Sequence, residues 1–339
     1  MSSDGVSLTQ ILTLEEVGVD LFRGFIPPSK YQLPRTFGGQ TVSQSLMAAS
    51  RTVPDTVRIH SLHSYFLRPG DVTIPIMYQV QRLRDGTSFC TRTVVAKQNG
   101  KAIATLACSF QEPEQGLEHA AEMPQVPSPE SLPTREQDMA RLAEDPRMPA
   151  ALQKLIRRHM ETPMPVDIRP VLRRDPISPK PVPPQHRVWM RARHPLGDDP
   201  HMHACAAAYL SDHNLLETSM LPHAVPIYGG LQMASLDHSM WFHAPFRADQ
   251  WLLYDMHSPR SIGSRGLSFG NIYSPDGVLV ISTAQEGLIR LLKQPILLPE
   301  VSKDAAAEEE EEEELMRIHR ARSKQIIFGD EAEPLPAKL

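Results

Sequence analysis

The sequence predicts an α+β fold in which two similar units each wrap an antiparallel sheet around a long helix. The first observation is an internal echo: SLHSYF begins at Ser61 and SLDHSMWF at Ser235, while CSFQE and STAQE place Gln111 and Gln285 at the same separation. The second is the order in each half, where a helical segment precedes several strand-like segments. The third is a set of Asp-Gly and Asn-Gly pairs between β-rich runs, which is a strong hairpin signal.

Residues 1–112 make up the first predicted unit. SLTQILTLEEVGVDLF predicts an N-terminal helix at 7–22. FGGQTVSQSLMAASRTV predicts a central helix at 37–53, because Gly38-Gly39 opens it and its apolar residues recur at helical spacing. Strands are predicted at 58–67, 73–83, 88–98 and 101–111, with hairpin turns at Asp85-Gly86 and Asn99-Gly100.

The second predicted unit covers residues 188–293 and repeats the plan. A strand at 188–194 precedes a helix at 203–221, which Pro222 closes. Further strands are predicted at 231–242, 250–258, 265–273 and 278–285, with the last turn at Asp276-Gly277. Between the units, the proline-rich segment 113–187 carries one short helical pattern at 151–160. We expect this segment to wrap the surface rather than to form a core of its own.

Charge and composition narrow the classes of partner. The formal net charge is −5 and no basic patch stands out, so no nucleic-acid partner is expected. No apolar run reaches the length of about 18 residues that predicts a membrane span. The first residues lack the basic and apolar regions of a signal peptide. The cysteines Cys90, Cys108 and Cys205 have apolar neighbours and no paired spacing, which favours free buried thiols in a reducing compartment.

The tail at 294–339 is expected to be flexible and to carry a targeting signal. Its last residues, Ala337, Lys338 and Leu339, form a one-residue variant of the peroxisomal address Ser-Lys-Leu. The seven glutamates at 308–314 cannot be buried, and Pro334 and Pro336 discourage packing. The sequence therefore predicts recognition by a peroxisomal import receptor and localisation in the peroxisome matrix.

Asp212 is the first candidate for chemistry. The pattern AAAYLSDHNLLETSM places it within a helix, on a face with Ala208, Tyr209, Leu215 and Leu216. A carboxylate pressed against a sheet loses hydration unless it is hydrogen-bonded. One interpretation is a structural acid that tethers a loop, and the other is a general base with a perturbed pKa in a cleft.

Two further polar residues stand where a core favours apolar ones. In VLVISTAQ, alternation places Gln285 on the same strand face as Ile281 and Thr283. Its amide can orient a water molecule or form hydrogen bonds with an open backbone edge. A lone serine is usually structural, and Ser235 is a candidate only because Asp212 and Gln285 are candidates too. Applying the separation of the internal echo to Asp212 gives Gly38, so the first half would lack the acid. If the acid is essential, only one of the two related sites is active.

Other motifs are set aside. The sequence at 266–270 matches G-x-S-x-G, but the strand, turn and strand that follow do not supply the helix of a nucleophile elbow. Asp237, His238 and Ser239 are adjacent on a strand and point to opposite faces, so they cannot form a relay. His238 and His243 have no third ligand at suitable spacing, which predicts no metal. Neither a Walker loop nor G-x-G-x-x-G is present, and no cofactor is predicted.

At these residues the chain resembles the acyl-CoA thioesterase II family in its peroxisomal eukaryotic form. The resemblance rests on FGGQTVSQSL, HSLHSYFLRPGD and LRDGTSF in the first half, and on YLSDHNLL, SLDHSMWFHAPFRADQWLLY and DGVLVISTAQEG in the second. It implies a double hotdog fold and a catalytic trio at Asp212, Ser235 and Gln285. Bacterial members carry threonine where Ser235 stands, which keeps the hydroxyl. The proline-rich segment and the glutamate run depart from the family pattern.

The resemblance implies hydrolysis of fatty acyl-CoA to free acid and CoA, with water activated by Asp212 and held by Ser235 and Gln285. Two alternatives remain open. A hotdog enoyl-CoA hydratase would use an acid and a histidine, and His213 follows Asp212, although consecutive helical residues point about 100° apart. A non-catalytic acyl-CoA-binding protein would use the trio only for structure. Hotdog sheets leave long edges, so we expect a homo-oligomer.

Overall fold

The computed structural model describes residues 5–25, 35–161, 163–226 and 230–291. The helices in these ranges are α1 (Leu8–Leu12), α2 (Gly38–Ser50), α3 (Arg135–Glu144), α4 (Ala150–Met160), α5 (Pro200–Ser211) and α6 (Leu215–Thr218). The strands are β1 (Leu14–Gly18), β2 (Leu21–Gly24), β3 (Arg58–Phe66), β4 (Ile76–Asp85), β5 (Phe89–Gln98), β6 (Lys101–Gln111), β7 (Val166–Pro170), β8 (Gln185–Ala192), β9 (Leu231–Ser235), β10 (Asp237–Phe242), β11 (Leu252–Ile262), β12 (Arg265–Tyr273) and β13 (Leu279–Leu291). None of the described helices is long and apolar enough to cross a membrane.

The strands form one thirteen-stranded antiparallel sheet that runs through both halves. Its order is β1-β2-β4-β5-β6-β3-β10-β13-β12-β11-β8-β7, with β9 paired to β13. The halves meet where β3 pairs with β10, with His63 opposite Ser239. The long helices α2 and α5 pack on each other and on strands of the sheet, and their buried side chains join one core. The predicted α+β architecture of two helix-and-sheet units is confirmed.

Two of the three predicted hairpin turns have the left-handed backbone that their residues favour, whereas neither Asp85 nor Gly86 has a positive φ. Asn99 and Gly100 both have positive φ, at 48° and 74°, as the turn between β5 and β6 requires. Gly277 has φ of 88° between β12 and β13. Asparagine tolerates the left-handed region and glycine has no Cβ to clash there, so these pairs fix where the strands reverse.

The N-terminal helix predicted at 7–22 is wrong beyond its first turns. Helix α1 begins after Ser7, whose side chain caps Gln10, and ends at Leu12. The hairpin β1–β2 follows, turning through Asp20 at φ of 52°. Strand β2 pairs with β4, so the sheet gains two strands at one end, with β1 at its edge, where a longer helix was expected. Hydrogen bonding to the sheet overrode the local helical pattern.

The segment between the two predicted units contains more structure than the single helix expected. Helix α4 matches the pattern at 151–160, but α3 and β7 were not predicted. Helices α3 and α4 enclose a small cluster of Leu142, Met148 and Ile177, so part of the segment has a core of its own. Strand β7 pairs with β8 and extends the sheet of the second half.

Candidate active site

Asp212, Ser235 and Gln285 lie together in the second half. Gln285 Nε2 donates to Asp212 Oδ1 at 2.6 Å and to Ser235 Oγ at 3.1 Å. Ser235 Oγ lies 3.5 Å from Asp212 Oδ1. The three residues come from the end of α5, the end of β9 and the middle of β13, and the pairing of β9 with β13 brings the two strands to one place.

The pattern predicted Asp212 within a helix, and this is wrong. Asp212 is the C-cap that directly follows the last residue of α5. Asn214 takes a left-handed φ of 65°, which breaks the predicted 203–221 helix before α6 resumes it. The change frees the carboxylate from the helix surface and turns it toward β9 and β13. A helix C-terminus carries a partial negative charge, so an acid there needs compensation.

The compensation comes from the first half. The α2 helix begins where α5 ends, and Gly39 N donates to Asp212 Oδ2 at 2.7 Å. Phe37, which precedes α2, makes no side-chain capping bond, so Asp212 satisfies one of the amides that a helix start leaves open. The positive end of α2 therefore faces the carboxylate. The predicted opening of this helix at Gly38-Gly39 is confirmed, but its contact with Asp212 was not predicted.

Glycine is needed at the start of α2 because the carboxylate comes so close. A Cβ at Gly38 would lie 2.7 Å from Asp212 Oδ2, and a Cβ at Gly39 would lie 2.7 Å from the carbonyl oxygen of Tyr209. Both distances are below normal contact. Either side chain would push α2 away from Asp212 and lengthen the Gly39 bond.

Burial raises the pKa of Asp212 to about 6, against the hydrogen bonds from Gln285, Gly39 and Ser235, which lower it. Glu217 adds a smaller push upward through its charge. A carboxylate with this pKa is ionised at neutral pH and still takes a proton more readily than an ordinary aspartate. The arrangement can therefore accept a proton from a bound water molecule.

The end of α5 is fixed by buried side chains of the surrounding strands. Tyr254 hydroxyl donates to the carbonyl oxygen of Ser211 at 3.1 Å and lies 2.8 Å from Thr283 Oγ1. His238 Nε2 lies 2.8 Å from Ser211 Oγ. These contacts hold the residue before Asp212 on two sides. Sequence reasoning missed Tyr254 as a support, because a tyrosine on a strand gives no signal of its partner.

The other candidates do not gather around a reacting group. The His213 ring packs on Phe37, with ring centroids 4.6 Å apart, and burial lowers its pKa to about 3. The G-x-S-x-G sequence lies within β12, as expected, so Ser268 is on a strand and not on a nucleophile elbow. In the ranges described above, no three His, Cys, Asp or Glu side chains are grouped to hold a metal.

The strand registers show which residues of the first half correspond to the site. One alignment of the strand registers matches three cross-strand pairs of the first half with three of the second. The pairs and their counterparts are Ser64–Leu106 with Met240–Thr283, Ile59–Phe110 with Ser235–Gly287, and Arg92–Cys108 with Ser268–Gln285. Cys108 therefore stands at the place of Gln285, and Ile59 at that of Ser235.

The correspondence of Asp212 with Gly38 is wrong. Gly38 starts α2, whereas Asp212 is the cap that ends α5, a place that Arg51 takes at the end of α2. The second half has an insertion between helix and strand that includes α6, so one constant separation does not span helix and sheet. The first half still lacks the acid, because Arg51 stands there at the position of Asp212.

Arg92 takes the place of Ser268 in the first half. Its side chain is 1% exposed, and its Nε and Nη2 donate to Thr52 Oγ1 at 2.8 Å and to the carbonyl oxygen of Thr52 at 2.9 Å. Asp85 pairs with the same guanidinium. The first half thus has an arginine where the second half has Ser268, and its counterparts of the trio are Arg51, Ile59 and Cys108.

Known protein families match both halves of the chain. The family described as acyl-CoA thioesterase matches residues 156–288, and the acyl-CoA thioesterase N-terminal domain matches residues 27–111. Acyl-coenzyme A thioesterase 8 of Mus musculus is 43% identical over 294 residues, which cover 85% of this chain and 90% of that relative. Peroxisomal acyl-coenzyme A thioester hydrolase 1 of Saccharomyces cerevisiae is 28% identical over 309 residues, or 78% and 88% of the two chains. The crystal structure of an acyl-CoA thioesterase II, TesB2, from Mycobacterium marinum is 41% identical with a TM-score of 0.68, and covers 85% of this chain and 99% of that chain.

Proposed function

The chain belongs to the acyl-CoA thioesterase family, and we propose that Asp212 is the general base with which it hydrolyses acyl-CoA thioesters. Its fold is the double hotdog that the resemblance implied. Ser235 and Gln285 are proposed to hold and orient the attacking water. The observation that carries the assignment is the buried carboxylate with three hydrogen-bond donors and a pKa of about 6.

Each part of the site has a task in the proposed reaction. Asp212 takes a proton from water as the water oxygen bonds to the thioester carbonyl carbon. The carbonyl electrons move to the oxygen and return when the carbon–sulfur bond breaks, which releases the CoA thiolate. The proton on Asp212 passes to the thiolate, so the products are the free acid and CoA. A thiol pKa of about 8.5 makes the thiolate a good leaving group without strong acid assistance.

The start of α2 contributes to the same step. Its positive end faces Asp212 and favours negative charge near Gly39. The same field stabilises the negative charge that develops on the carbonyl oxygen, because fixed dipoles need no reorganisation during the reaction. The first half therefore takes part in catalysis although its own counterpart of the site is filled.

Release of CoA thiol from acyl-CoAs of medium to very long chain tests the assignment. Wild type should release thiol, and Asp212→Asn should fold normally and lose roughly two or more orders of magnitude in turnover. Asp237→Asn is the matched control, because Asp237 is a nearby acid that accepts from the Glu286 amide and is outside the trio. Near-normal turnover by Asp212→Asn would overturn the assignment. Binding without thiol release by wild type would instead favour a binding protein.

A hydratase receives little support from this site. It needs a histidine that exchanges protons near Asp212, whereas the His213 ring is packed between Phe37 and Tyr209. Burial holds the pKa of His213 at about 3, so the ring stays neutral at neutral pH. Thioester hydrolysis needs only the carboxylate and is the function that the geometry supports best.

We propose that the enzyme acts in the peroxisome matrix and reaches it through an import receptor that reads Ala337, Lys338 and Leu339. These residues lie outside the described ranges, so the proposal rests on their sequence and on the name of the yeast relative. A fluorescent fusion at the N-terminus should collect in peroxisomes, and deletion of residues 337–339 should leave it diffuse. Peroxisomal signal after that deletion would contradict the proposal.

We propose two structural units, at 1–112 and 188–293, joined by 113–187 and followed by the tail at 294–339. We also propose a homo-oligomer, because the sheet order ends at β1 and β7, and strands at sheet edges leave backbone groups open to pairing. Size-exclusion chromatography with light scattering measures the mass of the eluting protein directly. A mass equal to one chain across a range of concentrations would rule out assembly.

A further inference from the structure

Gln285 uses only one end of its amide within the site. Nε2 donates to Asp212 and Ser235, but Oε1 is buried and has no hydrogen-bond partner among the residues that the structure describes. The side chain has no exposed surface, so bulk water does not serve this oxygen. A buried acceptor without a donor is costly, so a donor is expected beside it.

Ser268 is the neighbour of Gln285 on the adjacent strand. The two residues face each other in the register of β12 with β13, so their side chains lie on the same face of the sheet. Cross-strand neighbours have Cβ atoms roughly 5 Å apart. Ser268 is also fully buried, and within the described ranges its Oγ has no partner. A donor and an acceptor, each unsatisfied, therefore lie side by side.

The first half shows where this strand position points. Arg92, the counterpart of Ser268, sends its guanidinium to Thr52, the residue after the cap of α2. By the same geometry Ser268 faces the segment after α5, where Asp212 lies. Because serine is much shorter than arginine, its hydroxyl stays close to the sheet, beside its neighbour Gln285.

We propose that Ser268 is a positioning residue for thioester hydrolysis. Its hydroxyl donates to Gln285 Oε1 through one enclosed water molecule, and so keeps Nε2 turned toward Asp212 and Ser235. This inference rests on the proposed role of Asp212 as the base. Without the donor, the Gln285 amide can rotate and place its oxygen against the carboxylate, which would weaken the bond that stabilises the ionised base.

The pH profile separates positioning from a merely structural role. Loss of the Gln285 bond raises the pKa of Asp212, because that bond favours the charged form. The acid limb of the kcat profile should therefore move to higher pH in Ser268→Ala, by about half a unit, with kcat roughly three- to tenfold lower. Ser268→Thr keeps a hydroxyl and should keep the limb at its wild-type position.

The experiment measures kcat, KM and their pH dependence for wild type, Ser268→Ala, Ser268→Thr and Asp212→Asn, with thermal denaturation of each. Ser64→Ala is the matched control, because Ser64 is a buried strand serine in the first half whose hydroxyl donates to the Thr105 carbonyl oxygen. In Ser64→Ala the acid limb of the kcat profile should not move. An unmoved acid limb in folded Ser268→Ala would overturn the proposal, and so would an equal shift of that limb in Ser268→Thr.

The same set of variants separates the two proposals. If Asp212→Asn is inactive while the limb of Ser268→Ala stays in place, Asp212 remains the base and the role of Ser268 is wrong. If Asp212→Asn keeps its activity, the assignment of the base fails, and the inference about Ser268 fails with it.

Discussion

In both halves, equivalent strands surround the end of a long helix, but the side chains at that place differ in polarity and charge. In the second half Asp212, Ser235 and Gln285 form a network around a carboxylate. In the first half Ile59 and Cys108 are buried at two of these positions, and Arg92 occupies the space beside them. The fold thus needs the helix and the sheet, but it does not need a site in each half.

The comparison also shows that the two halves depend on each other. The start of α2 lies against Asp212, and Gly39 supplies one of its hydrogen bonds. Because α2 and α5 pack together, the helix start of one half meets the helix end of the other. The first half therefore has no counterpart of the trio, but it supplies an amide donor and a helix dipole to the second half.

Among substitutions in the first half, the largest expected effect comes from crowding the contact between Gly38 and Asp212. Gly38→Ala places a methyl group against the Asp212 carboxylate, so α2 must shift and the Gly39 bond must lengthen. We expect turnover to fall by roughly ten- to a hundredfold, because a displacement of a catalytic group by about 1 Å can cost up to about a hundredfold. Gly116→Ala is the control, because a Cβ at Gly116 meets no atom within 4 Å. Unchanged kcat in Gly38→Ala would show that the first half does not hold the base.

The next effect is on stability alone. Arg92→Met removes the buried guanidinium that bonds Thr52 and pairs with Asp85. We expect the free energy of unfolding to fall by about 2 kcal/mol, because the Thr52 acceptors lose their donors while the apolar stem is kept. Denaturant melts give the stability and thiol release gives kcat. A large loss of kcat at full stability would mean that the first half is more than a support.

A smaller effect concerns the pH dependence of stability. The folded-state pKa of Asp212, about 6, lies above its ordinary value of 3.8, so the folded protein binds its proton more tightly. Stability from this group is greatest below the lower pKa and is lost as pH rises through about 6. Asp212→Asn removes that loss, so at pH 8 it should be more stable than wild type by about 1–2 kcal/mol.

Unfolding curves at pH 8 and pH 4.5 check this expectation. The gain should shrink at pH 4.5, where wild-type Asp212 is mostly protonated in the folded state. A gain of the same size at both pH values would mean that ionisation of Asp212 is not its cause.

The smallest effect separates the echo in the sequence from the correspondence in the structure. Ser61 echoes Ser235 in sequence, but Ile59 is its counterpart by strand register. Ser61→Ala should change turnover less than twofold, whereas Ser235→Ala should lower it roughly tenfold through loss of a hydroxyl in the trio. Thiol release under matched conditions decides between them. A similar loss in both variants would favour the correspondence that the sequence echo suggested.

Sequence patterns located most strands because their signals are local. The pair Asn99-Gly100 forms the turn it predicted, and alternation correctly placed Ile281, Thr283 and Gln285 on one buried face. The helix at 203–221 was wrong in its middle, because apolar residues keep helical spacing on both sides of the break. Only the left-handed Asn214 marks that break, and asparagine also occurs within helices.

The sequence by itself determined the duplicated α+β plan, the turns and the three residues of the candidate site, since each depends on neighbours along the chain or on a quoted motif. Tertiary structure alone decided that Asp212 caps α5, that Gly39 from far along the chain bonds it, and that Arg92 takes the place of Ser268 in the first half. The reason is that these contacts join segments distant in sequence. Their distances depend on how two helices pack and how the strands align, and periodicity within a segment carries no record of either.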